Sequence, residues 1–242
     1  MAGSGTKLST LPCASCGTRL AHVLELLDAD AVTLLDRAHG SHTYARGQIL
    51  FYESTAAHSV FCLRSGVAKV SRATSQGRAY ILRIARPGEI LGLENLLDGK
   101  PYAATAEMLE GGAVCQFDRE RFVSVLERHP AAWREIATAV AEELRRCEEE
   151  RSELASRSLR TRLAAALIHL GQEFGAPEGG AVHLHLDLSR DDLASMIGAS
   201  TEATIRQLSE LRRRGLVSTD HRSIRIEDIG RLARVARLTP PA

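Results

Sequence analysis

The sequence predicts an α+β chain in three parts: a roll of short strands, a long charged helix, and a small C-terminal unit of helices closed by a strand hairpin. Three observations predict it. Short apolar runs punctuated by glycine fill the stretch from Ser41 to Phe117. The segment from Ala131 to Arg157 contains neither glycine nor proline. Beyond it, two serine-led helical patterns flank Gly198.

The bulk numbers fit that division. A chain of 242 residues with 44% hydrophobic and 25% charged residues can bury more than one core. No apolar run approaches the roughly 18 residues that span a bilayer. The opening MAGSGTKLSTLPCASC has one lysine and no apolar h-region, so a secretory signal is not expected and the protein is read as cytoplasmic. The net charge of +1 excludes a uniformly basic coat. It leaves room for one local basic face, formed by Arg206, Arg212, Arg213, Arg214, Arg222 and Arg225.

Residues 1–17 read as a flexible segment carrying Cys13 and Cys16, and 18–130 as the strand roll. Helices are expected over 18–27 and 29–38. The roll follows as Gln48–Phe51, Val60–Leu63, Val67–Val70, Ala79–Leu82, Glu89–Gly92 and Ala113–Phe117. Arg46-Gly47, Ser65-Gly66, Gln76-Gly77 and Pro87-Gly88 mark the turns, where glycine reaches positive φ without steric cost. Asp118 fits a helix N-cap, and Pro130 interrupts or starts the next element.

Residues 131–157 read as a dimerisation helix. Trp133, Ile136, Val140, Leu144, Cys147 and Leu154 recur near every 3.5 residues on an otherwise charged surface. A stripe that narrow calls for a partner helix, and the simplest partner is a second copy of itself.

Residues 158–242 form the last unit. A helix is expected from Leu159 to Gly171, a loop over 175–180, and a strand where Val182, Leu184 and Leu186 alternate with His183, His185 and Asp187. Ser189 caps a short helix, with Asp192 where glutamate or glutamine would complete a capping box. Gly198 ends it. Ser200 caps a second helix in which Ile205, Leu208 and Leu211 are expected to point inward. Helix, glycine turn and capped helix make a helix-turn-helix. Gly215–Ser218 and Ser223–Ile226 add a wing. In such a unit the N-terminal residues of the second helix meet base edges in the major groove, which nominates Thr201, Glu202, Ile205 and Arg206. Arginine donates two hydrogen bonds to guanine and glutamate accepts from cytosine. Glu202 and Arg206 also stand at the spacing of an i,i+4 surface salt bridge.

The five cysteines are an odd number in a chain read as intracellular, which argues against a disulfide framework. Metal, cluster or thiol chemistry stands beside ordinary packing. Cys13 and Cys16 form a C-x-x-C able to bite one iron or zinc ion. Cys147 fits a packed thiol on the long helix. His183 and His185 share a strand face at a metal-binding spacing, as in cupin-type enzymes, but no matched third ligand follows. The chain contains no G-x-S-x-G, P-loop or H-E-x-x-H, so an enzyme is not expected.

Taken together, these features resemble the CRP/FNR transcription regulators. The resemblance rests on Arg46-Gly47-Gln48, Arg64-Ser65-Gly66, Pro87-Gly88-Glu89 and Gly92, the long helix, and Leu188–Ala194 leading to Glu202 and Arg206. It implies a cyclic-nucleotide-binding-like jelly roll, a dimerisation helix and a winged helix-turn-helix. It implies a homodimer on double-stranded DNA with a palindromic TGA-type site, and RNA polymerase as a further partner. Ile205 stands where the FNR branch often has serine. In the cyclic-AMP branch an Arg-Ser pair holds the phosphate; Tyr102 and Ala103 stand there, so cyclic AMP is not expected. The FNR branch holds a [4Fe–4S] cluster on N-terminal cysteines and one on the last roll strand, which Cys115 matches. The third N-terminal cysteine of that branch is absent, and Cys62 is nominated to complete the set Cys13, Cys16, Cys62 and Cys115. Zinc, a thiol–disulfide switch and small-molecule control without a cluster are the alternatives.

Overall fold

The computed structural model describes residues 23–74, 79–220 and 223–238, with backbone alone at 38, 39, 143, 146 and 149–156. Cys13, Cys16, the Gln76-Gly77 turn, Arg222 and the first half of the helix expected over 18–27 lie outside the described residues; a helical turn at 23–25 is described. The chain divides into two compact units. One reaches Arg146 without Ala79–Ile81; the other holds those three residues and everything from Cys147 on.

In the first unit, α1 (Ala29–Ala38) leads into β1 (His39–Tyr44), β2 (Ile49–Phe51), β3 (Ser59–Leu63), β4 (Val67–Ala73), β5 (Ala79–Ala85, its first three residues grouped with the other unit) and β6 (Ile90–Leu91). A short helix α2 (Leu93–Asp98) precedes β7 (Thr105–Glu110) and β8 (Gly112–Asp118). The strands form two four-stranded sheets, ordered β1-β8-β3-β6 and β2-β7-β4-β5. The expected roll is present, with β1, β7 and α2 added to the elements read from sequence.

Side chains alternate across a strand, and β3 shows what the alternation does here. Phe61 and Leu63 enter the roll interior with Phe51, Met108 and Val114. Val60 and Cys62 face the other way, into a layer of Leu35, Phe122, Leu126 and Ile136. Each such side chain contributes roughly 1.5–3 kcal/mol on full burial. The Ser65-Gly66 turn must be glycine for two reasons. Gly66 has φ +81°, and a Cβ there would stand 2.7 Å from the Glu110 carbonyl oxygen.

Asp118 caps α3 (Arg119–Glu127), accepting from the Arg121 amide at 3.0 Å. The next junction is held by one carboxylate. Asp28 accepts from the Ala31 amide at 2.8 Å, capping α1, and its other oxygen lies 3.0 Å from His129 Nε2. His129 Nδ1 lies 2.7 Å from the Val125 carbonyl oxygen. Both partners can only accept, an arrangement that favours the protonated ring. The Val125 carbonyl first, and then Asp28, hold the His129 pKa above its usual value. The Ala31 amide and His129 hold Asp28 below the usual carboxylate range.

The long helix is α4 (Pro130–Ser156). Proline suits its first turn because the missing N–H is one no helix would use. The expected stripe splits. Ile136 is buried in the core of its own unit and Trp133 packs against that core. Leu144 is 60% exposed and Cys147 is exposed. The first part of the stripe therefore serves its own chain; only the later part is open to a partner. The side chain of Leu154 lies outside those described.

The second unit contains α5 (Leu159–Phe174), β9 (Gly175–Glu178), β10 (Ala181–Leu184), α6 (Arg190–Met196) and α7 (Thr201–Arg213). Then come β11 (Val217–Asp220), β12 (Ser223–Ile226) and α8 (Ile229–Ala236). Its sheet runs β11-β12-β10-β9. The loop expected over 175–180 thus carries an edge strand. Leu163, Leu167, Leu193, Leu208, Leu211, Ile224, Ile226 and Leu232 are buried. Among the described residues, no helix is long and apolar enough to cross a membrane.

Candidate functional site

Two places concentrate chemistry, one in each unit. In the second unit, the α6–α7 pair is built from its caps. Ser189 accepts from the Asp192 amide at 3.0 Å, and Asp192 accepts from the Ser189 amide at 3.0 Å. Asp192 thus completes a capping box that the sequence reading reserved for a longer acid. Gly198 turns the chain with φ +59°. Ser200 then caps α7. Thr201 Oγ1 donates to Asp191 Oδ1 at 2.5 Å, tying the start of α7 to α6.

α7 has a clear inside and outside. Thr204, Leu208 and Leu211 are buried. Glu202 and Arg206 are exposed, and so is Ile205, at 44%. The expectation that Ile205 points inward is corrected: Thr204 takes the inward place on that turn, its hydroxyl donating to the Ser200 carbonyl oxygen at 2.9 Å. Glu202 and Arg206 make no ion pair with each other among the described residues, so their charges face solvent. Farther along, Glu210 is occupied. Arg214 donates to it at 2.7 Å and Arg213 also engages it. The bond from Arg214 is the main reason its carboxyl stays below the usual range. Ile205, Arg206, Ser209, Glu210, Arg212 and Arg213 border an open surface concavity of about 570 Å³.

The wing, β11 paired with β12, holds Arg225, which turns back to the β9 edge and donates to the Glu178 carbonyl oxygen at 3.2 Å. His183 and His185 have ring centroids 4.8 Å apart, and His183 Nε2 lies 2.7 Å from Ser223 Oγ. Among the described residues, no three His, Cys, Asp or Glu side chains converge as a metal site.

In the first unit, the chemistry lies in one row across the sheet. Cys62 on β3 stands directly opposite Cys115 on β8, and Cys115 stands opposite Ser41 on β1. Directly opposed residues share a face, with Cα atoms about 4.5–5.5 Å apart. Cys62 is 1% and Cys115 4% exposed, in the same layer as Val23 and Leu24. Ser41 is 3% exposed, and its Oγ has no hydrogen-bond partner among the described residues. A buried hydroxyl in that state costs about 1–3 kcal/mol. Sequence reasoning nominated both cysteines and missed the serine, which nothing in HGSHTY distinguishes. Burial disfavours a lone thiolate but not a thiolate bound to metal. Val23 follows Cys16 by seven residues, a length that stretches to about 23–25 Å at most.

Tyr102 occupies the place where the resemblance would set an arginine. It stacks on Phe51 with centroids 4.0 Å apart and donates to the Ser59 carbonyl oxygen at 2.5 Å. Ala103 is exposed. Neither offers a cation to a phosphate.

Residues 41–129 match the cyclic nucleotide-binding domain family and residues 161–235 the Crp-like helix-turn-helix domain. The chain is 27% identical to the CRP-like cAMP-activated global transcriptional regulator of Mycobacterium tuberculosis, over 90% of this chain and 97% of that one. It is 26% identical to the transcriptional activator protein anr of Pseudomonas aeruginosa, over 92% of each. Among solved structures, a CRP-family transcriptional regulator from Thermus thermophilus superposes with a TM-score of 0.71 at 25% identity, over 83% of this chain and 98% of that one.

Proposed function

We propose a DNA grammar and a signal for this chain, which belongs to the CRP/FNR family of DNA-binding transcription regulators. The observation that carries the grammar is the exposed turn Glu202, Ile205 and Arg206 at the capped start of α7, its two charges not paired with each other. Arg206 donates both guanidinium arms to a guanine, and Glu202 accepts from a cytosine amine, within a TGA-type half-site. Two copies joined through the open part of α4, around Leu144 and Cys147, present two such helices to a palindrome with half-sites about one helical turn apart. RNA polymerase is the further partner.

The signal is redox. Cys13, Cys16, Cys62 and Cys115 together hold a [4Fe–4S] cluster, which supplies oxygen-labile redox chemistry when bound. The cross-strand pair Cys62 and Cys115 gives a rigid half of the ligand set, and the residues before Val23 bring the other half. Ligation fastens the N-terminal segment to the layer that contains Ile136 of α4; its release alters the support of that helix. Cyclic AMP is not the ligand of this reading, since Tyr102 and Ala103 provide no phosphate clamp.

Anaerobically reconstituted protein is expected to be brown, with about four irons per chain. Each of Cys13→Ser, Cys16→Ser, Cys62→Ser and Cys115→Ser should remove the colour, and Cys147→Ser should keep it. Colourless wild-type protein under strict anaerobiosis ends the cluster reading; zinc in its place is read by metal analysis. The register also favours a second reading. Directly opposed cysteines meet the Cα spacing of about 4.4–6.8 Å that a disulfide needs. In it, hydrogen peroxide takes two electrons as its O–O bond breaks, the two thiol protons pass to its oxygens to give two waters, and a Cys62–Cys115 bond forms. Mass analysis of alkylated protein distinguishes it from the cluster.

A further inference from the structure

We infer that Ile205 selects thymine in the half-site by packing against its 5-methyl group. The inference rests on the reading of α7 as the helix that meets base edges. Ile205 is 44% exposed, on the same outward turn as Glu202 and Arg206. The helix gains nothing locally from it. Isoleucine is a poorer helix former than the lysine, arginine or glutamate that an exposed position ordinarily takes. Nor does the core use it, since Thr204, Leu208 and Leu211 fill the inward face.

The surroundings name the partner. The concavity beside Ile205 is bordered by Arg206, Arg212 and Arg213 against the one carboxylate of Glu210, which Arg213 engages, so the rim keeps a net positive charge suited to a polyanion. DNA offers one apolar group in the major groove, the 5-methyl of thymine. A β-branched side chain on a helix is held mainly in one χ1 rotamer, so its methyls are presented with little entropy left to lose. The donor and acceptor on either side, Arg206 and Glu202, satisfy the polar edges of neighbouring bases. That leaves Ile205 over a position it reads by shape.

Deoxyuridine differs from thymidine by that methyl alone, so it isolates the contact. Palindromes are first selected by the full-length protein from random-sequence DNA. Each thymine is then replaced by deoxyuridine, symmetrically in both half-sites, and dissociation constants are measured. At one thymine position, replacement should weaken wild-type binding roughly tenfold, about threefold per half-site, the scale of one buried methyl. Ile205→Ala should bind the thymine and deoxyuridine sites equally, and Ile205→Val should retain most of the preference. Retained binding of Ile205→Ala to random DNA shows that it is folded. Tolerance of deoxyuridine at every position by the wild type, or a preserved preference in Ile205→Ala, overturns the inference while leaving α7 as the reading helix. Failure to enrich any sequence overturns both.

Discussion

The two active regions of the molecule break the rule of apolar inside and polar outside in opposite directions. On the strand row Ser41–Cys115–Cys62, the Ser41 hydroxyl is shut into an apolar layer beside the two packed cysteines. On α7, an isoleucine stands in water among charges. Both departures sit where function is proposed above, and their sign differs: the row sets a hydroxyl against apolar side chains, and α7 sets an apolar side chain against water.

Four measurements break or sharpen the contrast, in falling order of effect. Leu208 and Ile205 are three residues apart on one helix, yet only Leu208 is buried. Leu208→Ala should therefore lose about 2–5 kcal/mol of stability in urea unfolding, and Ile205→Ala less than about 0.5 kcal/mol. A comparable loss for both would place Ile205 in the core. Arg206→Ala should weaken binding to the selected palindrome by about 1–3 kcal/mol while changing binding to random DNA little. Equal losses on both would make Arg206 a phosphate contact.

Ser41→Ala should stabilise the metal-free protein by on the order of 1 kcal/mol, because it removes an unsatisfied buried hydroxyl. A destabilised variant would mean that the hydroxyl is already satisfied. The smallest effect belongs to the charged link beneath the same layer. Asp28→Asn keeps the cap on α1 and removes the charge facing His129. His129 is raised, so its contribution is complete below about pH 6.5 and fades as pH climbs through its folded value. Asp28 is lowered, so its share holds above about pH 3.9 and fades on acidification through its folded value. The melting-temperature gap between wild type and variant should be widest between about pH 4 and 6.5 and narrow toward pH 9. A gap independent of pH would show that the link does not titrate.

The sequence was most legible where one residue type has one physical job. Asp118, Ser189 and Ser200 announced their helices because a side-chain oxygen must meet orphan amides. It was least legible where partners decide. The β7 segment TAEMLE consists mostly of good helix formers, yet β2 and β4 pair with both of its edges. The GAPE of β9 reads as loop until one sees that Pro177 lies on an edge strand opposite Val182, where its missing N–H costs nothing. The cysteine row was half legible. That β3 lies beside β8 follows from the roll; that Cys62 meets Cys115 residue for residue, and Ser41 after it, is a matter of register, which no local signal carries.

The split stripe of α4 has a mechanical meaning. Its 27 residues contain no proline beyond the first and no glycine. Ile136 is embedded in the roll's helical layer, and some twenty residues run on from it. At 1.5 Å per residue that is an arm of about 30 Å. Leu144, eight residues on from Ile136 and 60% exposed, sits about 12 Å along it, so one straight element carries both a buried anchor and an open apolar side chain.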